Sequence, residues 1–109
     1  MKVITRASAK RDMRRGYDFY ERQEVGVGKY FFETLSAEVS SLQHTAGIHS
    51  KCGKLYRMKS KKFPYWIYYQ IAGEIVRVVA ILDARQSSLR IHQREMKEMN
   101  AFVRKFPVL

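Results

Sequence analysis

Residues 54–82 read KLYRMKSKKFPYWIYYQIAGEIVRVVAIL, and this stretch decides the fold because apolar and polar residues alternate there with the period of a strand. Lys54 to Ser60 sets Tyr56 and Met58 on one side against Arg57, Lys59 and Lys61 on the other, one face oily and one basic. Phe63 to Ile71 is almost wholly aromatic or β-branched, which suits a central strand covered on both faces, with Pro64 confined to its first residues where no ladder bond is lost. Trp66 and Tyr68 fall opposite Tyr65, Ile67, Tyr69 and Ile71; they could offer rings for base stacking, but the simpler reading is core. Ala72-Gly73 predicts a tight hairpin turn. Glu74 to Leu82 then returns with Val76, Val78, Ala80 and Leu82 facing one way and Arg77, Val79 and Ile81 the other, a parity that carries Arg85 onto the face of Arg77.

Upstream the spacing is different. Lys2 to Arg6 is a short strand candidate, after which Ala9, Met13, Tyr17 and Tyr20 recur at helical intervals from Ala7 to about Gln23, with Ser8 placed to cap. Glu24-Val-Gly-Val-Gly28 breaks the pattern, and Phe31 or Phe32, Leu35, Val39 and Leu42 resume it to about Ala46. Downstream, Ser87 or Ser88 can cap a final helix to about Val103, with Ile91, Met96, Met99, Ala101 and Phe102 as its less polar residues. The order β-α-α-β-β-β-α predicts an α+β domain in which a helical hairpin packs on one face of the sheet. The other face is left to Arg57, Lys59, Arg77 and Arg85. A chain of 109 residues has room for one such domain, with 88–109 as a C-terminal helical extension.

Lys and Arg number 21 and Asp and Glu 10, a net charge of +11. No acidic residue lies between Val39 and Gly73, where Lys51, Lys54, Arg57, Lys59, Lys61 and Lys62 all fall. Charge concentrated in this way points to an anionic partner and to Lys54, Arg57, Lys59, Lys61, Arg77 and Arg85 as the residues that meet it. The bland alternative is a solvated face that keeps strand edges apart. Charge by itself does not choose between nucleic acid and an acidic protein.

Other classes of function are disfavoured. Cys52 is the lone cysteine, so no internal disulfide forms, and the N-terminal residues lack the apolar run of a signal peptide; we expect a cytoplasmic protein. FPYWIYY and VVAIL are too short to cross a bilayer, so no membrane partner is expected. His44, His49 and Cys52 lack the further ligand of a metal site, and Gly26-Val-Gly28 follows no strand and precedes no Gly-Lys-Ser/Thr. No nucleophile is paired with a base and no two carboxylates are placed for acid-base work. The expectation is no metal, no cofactor and no small-molecule substrate, and any chemistry would rest on cations.

Taken in order, Ala9 to Asp12, Tyr20-Glu-Arg-Gln23, Gly26-Val-Gly28 with Phe31 or Phe32, Leu55-Tyr-Arg57, Phe63-Pro-Tyr65 with Tyr68-Tyr69, and Ala80-Ile-Leu82 leading to Arg85 resemble the RelE/ParE toxin superfamily of bacterial type II toxin-antitoxin systems. The resemblance runs from Val3 to about Gln86 and is carried by order, spacing and length together. It implies a compact toxin on a twisted antiparallel sheet, neutralised by a cognate antitoxin whose acidic segment wraps it. RelE-like members cut messenger RNA on the ribosome; ParE-like members poison DNA gyrase. In RelE-like ribonucleases the catalytic cations would correspond to Arg57, Lys59 and Arg85. Trp66 stands where a further arginine is expected, and Ile91 where a tyrosine is, with His92 its nearest substitute. These departures, the long helical hairpin and Phe63-Pro-Tyr65 favour the ParE-like branch and gyrase, with plasmid stabilisation as the setting. The alternatives are a RelE-like messenger RNA interferase and a non-toxic, basic nucleic-acid-binding homologue. Asp83-Ala-Arg-Gln-Ser-Ser88 departs from the His-x-Arg-Arg-x-Pro-like segment that many relatives carry there.

Overall fold

The computed structural model describes residues 1–85 and 90–94. Its elements follow in the order β1 (Lys2–Thr5), α1 (Ala7–Gln23), α2 (Val27–Thr45), β2 (Lys51–Cys52), β3 (Leu55–Lys59), β4 (Tyr65–Ala72) and β5 (Ile75–Asp83), and residues 90–94 are helical. The remainder of the expected final helix lies outside the described residues. Among the described residues no helix is long and apolar enough to cross a membrane.

The sheet order is β1-β5-β4-β3-β2. The meander β3-β4-β5 is antiparallel as the alternation predicts, but β1 joins β5 in parallel, Lys2 opposite Ile75 and Thr5 opposite Val78, so the sheet is mixed. A parallel neighbour requires a long crossover, and α1, α2, β2, β3 and β4 supply it. The two-residue β2 pairs with β3, Lys51 opposite Tyr56; it is too short to show any alternation in the sequence. The β4–β5 turn is Gly73-Glu74, one residue later than expected, because Ala72 still pairs with Ile75 and Gly73 takes the positive φ of 60°.

The helical hairpin packs on one sheet face. Phe31, Leu35, Val39 and Leu42 of α2, with Ala9 and Met13 of α1, meet Phe63, Tyr65, Ile67, Tyr69, Val76, Val78 and Ile81 in one core. The helices approach closely because α1 offers Gly16, where an added Cβ would lie 2.4 Å from the Phe31 ring. At the joint the Glu21 carboxylate accepts the Gly26 N–H at 3.1 Å and the Gly28 N–H at 3.0 Å, satisfying free donors at the start of α2. Ser8 does not cap α1: its hydroxyl donates to the Val79 carbonyl at 2.8 Å, and the cap position, Arg6, makes no side-chain cap bond.

The alternation of β5 breaks at Val79. Tyr69 pairs with Val78 and Tyr68 with Ala80, leaving Val79 as the extra residue of a β-bulge. Up to Val78 the even positions face the helices; beyond the bulge Ile81 faces them and Ala80 and Leu82 face away. The bulge begins where β1 ends, so the outer edge of β5 needs other partners. Asp12, only 4% exposed, accepts the Ile81 N–H at 3.0 Å, and Arg94 donates to Asp12 at 2.7 and 3.1 Å and to the Val79 carbonyl at 3.0 Å.

Replacing Asp12 with Ala strands both the Ile81 N–H and the Arg94 guanidinium in a largely dry site, and we expect a loss of about 3–5 kcal/mol in urea unfolding. A second prediction concerns the α2–β2 connection, where Tyr69 Oη accepts the Gly47 N–H at 3.0 Å and lies 2.6 Å from His49 Nδ1. Burial holds His49 below its ordinary 6.5, so its contribution to stability is complete above that value and is lost as pH falls through the lower folded-state value. The urea midpoint should drop between about pH 7 and pH 5, and by less in His49→Gln than in the parent.

Candidate binding face of the sheet

The face away from the helices has an apolar floor with cations set on it. Leu55, Tyr68, Val79, Ala80 and Leu82 form the floor, and Ile91, 4% exposed, covers part of it from residues 90–94. Arg57 lies opposite Tyr68, which lies opposite Ala80; in the next row Lys59, Trp66 and Leu82 are aligned in the same way. Strand parity therefore brings Arg57, Lys59 and Trp66 together. The Arg57 guanidinium carbon stands 4.2 Å from the Trp66 ring centroid and Lys59 Nζ 5.1 Å. Each cation gains about 0.5–1 kcal/mol from the ring at such half-exposed positions. Trp66 is thus neither plain core nor a free stacking platform: its ring is already occupied.

The floor holds two donors without partners among the described residues, Arg57 Nε and Tyr68 Oη. Arg77 shares this face, opposite Gln70 on β4, and is exposed. Lys54, in the turn between β2 and β3, and Lys61, just beyond β3, are exposed at the two ends of β3 and not on its ladder. Glu38 fixes the second end, accepting the Ser60 hydroxyl at 2.7 Å and the Lys61 N–H at 2.9 Å. His92 is exposed on the helical residues 90–94.

Arg85 is the exception. The bulge at Val79 reverses the parity that would have carried it to the face of Arg77, and Arg85 instead closes on Asp83 with Nε at 3.1 Å, Nη2 at 3.0 Å and its own N–H at 2.8 Å from the carboxylate. These hydrogen bonds hold the Asp83 carboxyl below its ordinary value and raise the Arg85 guanidinium. Asp83 and Arg85 lie by Tyr20 and Tyr65 on the helix side, where burial pushes the Tyr65 phenol up to about 12. His49, suggested by spacing as a loose metal ligand, is engaged by Tyr69.

The sequence reading missed Asp12 and Arg94. Asp12 could have been found, since it falls on the buried stripe of α1 between Ala9, Met13 and Gly16, where a carboxylate must have a partner. Nothing in the pattern assigns Arg94 to it across 82 positions.

Trp66 is the single tryptophan and sits between the two cations, so its emission reports on this face. Titration with an acidic peptide should change Trp66 fluorescence at low salt and lose the effect at high salt; Arg57→Ala should alter the emission of the free protein and weaken the response.

Comparisons with known proteins agree with this architecture. The solved chromosomal ParDE TA system from P. aeruginosa matches with a TM-score of 0.69 at 17% identity, over 74% of this chain and 92% of that one, a likeness of fold. A comparison with curated proteins finds no match. Residues 3–88 match the family described as the ParE toxin of the type II toxin-antitoxin system, parDE, and on that span the chain belongs to the ParE toxin family.

Proposed function

We propose that this chain arrests growth by inhibiting DNA gyrase, and that the acidic segment of its cognate antitoxin occupies the basic sheet face around Arg57, Lys59 and Arg77. ParE toxins pair with a cognate antitoxin; the finer assignments of target and docking face are our reading. The observation that carries it is the division of the cations. A ribonuclease would need Arg57, Lys59 and Arg85 around one phosphate, with one group to take the 2′-hydroxyl proton and another to protonate the leaving oxygen. Here Arg57 and Lys59 stack on Trp66, while Arg85 is bound to Asp83 on the helix side. The cross-strand neighbours of the two stacked cations are Tyr68 and Trp66, one fully buried and the other unable to transfer a proton. Such a surface suits tight association with an anionic partner better than phosphodiester cleavage. The chain works in the cytoplasm on this reading, where its target is found, and residues 1–109 act as one toxin domain.

Supercoiling by purified gyrase should stall on addition of the protein and recover when the antitoxin from the neighbouring open reading frame is added. Messenger RNA from induced cells, mapped by primer extension, should show no codon-phased cuts. Cuts in phase with codons and normal supercoiling would replace this function with ribosome-dependent cleavage, and normal growth under verified expression would leave only a basic nucleic-acid-binding homologue. Arg57→Ala and Lys59→Ala should each weaken antitoxin binding, whereas Arg85→Ala, on the helix side with Asp83, should leave it unchanged.

A further inference from the structure

The outward face of α1 is almost wholly cationic. At about 3.6 residues per turn, Ala9, Asp12, Met13 and Gly16 turn to the core, while Ala7, Asp18 and five cations turn to solvent, all of them exposed. The cations fall in two rows. Lys10 and Arg14 run along the side next to α2, where both line the groove between the helices, and Arg11, Arg15 and Arg22 run along the other side. Ala7 and Asp18 lie on the crest between the rows. None of the five cations forms an ion pair among the described residues. The nearest acids of the helix are committed elsewhere, Asp12 to Arg94 and the Ile81 N–H, Glu21 to the N–H groups of Gly26 and Gly28. The stability of α1 does not call for this arrangement. Lys10 with Arg14 and Arg11 with Arg15 are like-charge pairs four residues apart, which destabilise a helix, and the first turn holds no acid to match the helix dipole. Charge that opposes the fold and is not matched within it calls for an anion from outside.

We propose that α1 is a binding ridge for duplex DNA, lying along the major groove with one row of cations toward each of the two phosphate strands that border it. That groove is about 12 Å wide and admits an α-helix. The rows extend about 18 Å from Lys10 to Arg22, so several successive phosphates fall within reach. Four of the five cations are arginines, whose planar fork takes two phosphate oxygens at once. A protein partner would need an apolar centre, and a single strand would need rings on which to stack its bases. The crest offers neither, because Phe19, the exposed large apolar residue of α1, lies beyond Arg15 toward the sheet. Duplex RNA presents a deep, narrow major groove that side chains do not enter. Contacts to phosphate carry no sequence information, so the ridge holds DNA of any sequence. It lies on the helix side, away from Arg57 and Lys59, and it does not depend on which target the toxin has.

Fluorescence anisotropy with the full chain tests it on short labelled DNA duplexes of two unrelated sequences, the matching single strands, duplex RNA of the same sequence and a polyglutamate peptide. Both DNA duplexes should bind equally, at least about tenfold more tightly than the single strands or the RNA, with log affinity falling against log salt at a slope of about −4 to −5. Arg14→Gln and Arg15→Gln, one from each row, should each flatten that slope by about 1 and weaken both duplexes several-fold. The double variant Arg11→Gln/Arg15→Gln should weaken duplex binding at least about tenfold at a melting temperature that is unchanged or raised, since it relieves a like-charge pair. Lys29→Gln/Lys62→Gln, which removes the same charge from exposed positions off α1, should bind DNA as the parent does. Equal losses in the two double variants would reduce the ridge to general charge and overturn the assignment. Single strands or duplex RNA binding as tightly as duplex DNA would also overturn it, as would a loss of polyglutamate binding in Arg11→Gln/Arg15→Gln equal to that of the duplex, which would make the ridge a protein-binding surface.

Discussion

The Asp12 carboxylate has a backbone N–H on one oxygen and a guanidinium across both, and most of the architecture depends on that arrangement. β1 covers β5 only as far as Val78, and past that point the strand would present an unpaired edge. α1 supplies the replacement partners from its own side chains, Ser8 to the Val79 carbonyl and Asp12 to the Ile81 N–H. Because Arg94 completes the set, the same contact ties the helical residues 90–94 to the strand edge, and Ile91 is thereby laid on the apolar floor of the opposite face. A carboxylate buried this deeply is stable only while its charge is matched, so helix, strand and C-terminal turn are held as one unit.

The bulge at Val79 lies at the same point of β5 and decides how the cations are shared out. One extra residue turns every later side chain of β5 to the other face. Ile81 is gained by the main core, Ala80 and Leu82 by the opposite floor, and Asp83 with Arg85 is delivered to the helix side. The result is two basic regions of different character. On the sheet face Arg57 and Lys59 share the Trp66 ring over a dry floor, a broad surface whose charges are partly spent on the ring. At the end of the sheet Arg15, Arg85 and Arg90 line a small pocket together with Asp83 and Tyr65. The first suits a long acidic segment; in the second Asp83 already supplies the anion.

The two acidic residues that bound the acid-free stretch from Val39 to Gly73 are consistent with this division. Glu38 is consumed by the loop after β3, where it accepts from Ser60 and Lys61. Glu74 sits in the turn at the far end, before β5 begins. Neither reaches the rows that carry Arg57 and Lys59, so neither offsets the positive potential there.

Local chemistry was enough to determine the order of elements apart from β2, the limits of α1 and the apolar side of β3 and β4, because helix and strand periodicities are properties of neighbouring residues. It also determined that Arg57 and Lys59 share a face, since no irregularity intervenes between them. Three things were decided only in the folded chain. β1 runs parallel to β5 because the crossover places it there, which four residues of strand propensity cannot announce. Val79 bulges in the β4–β5 pairing just where β1 ends, and the consequence, Arg85 on the helix side, defeats any count by twos. Tyr65, Arg15 and Arg90 meet at one cavity from three separate parts of the chain. Periodicity fixes which way a residue faces within its own element, whereas a site assembled from several elements depends on how their edges are satisfied, and that is a property of the tertiary structure alone.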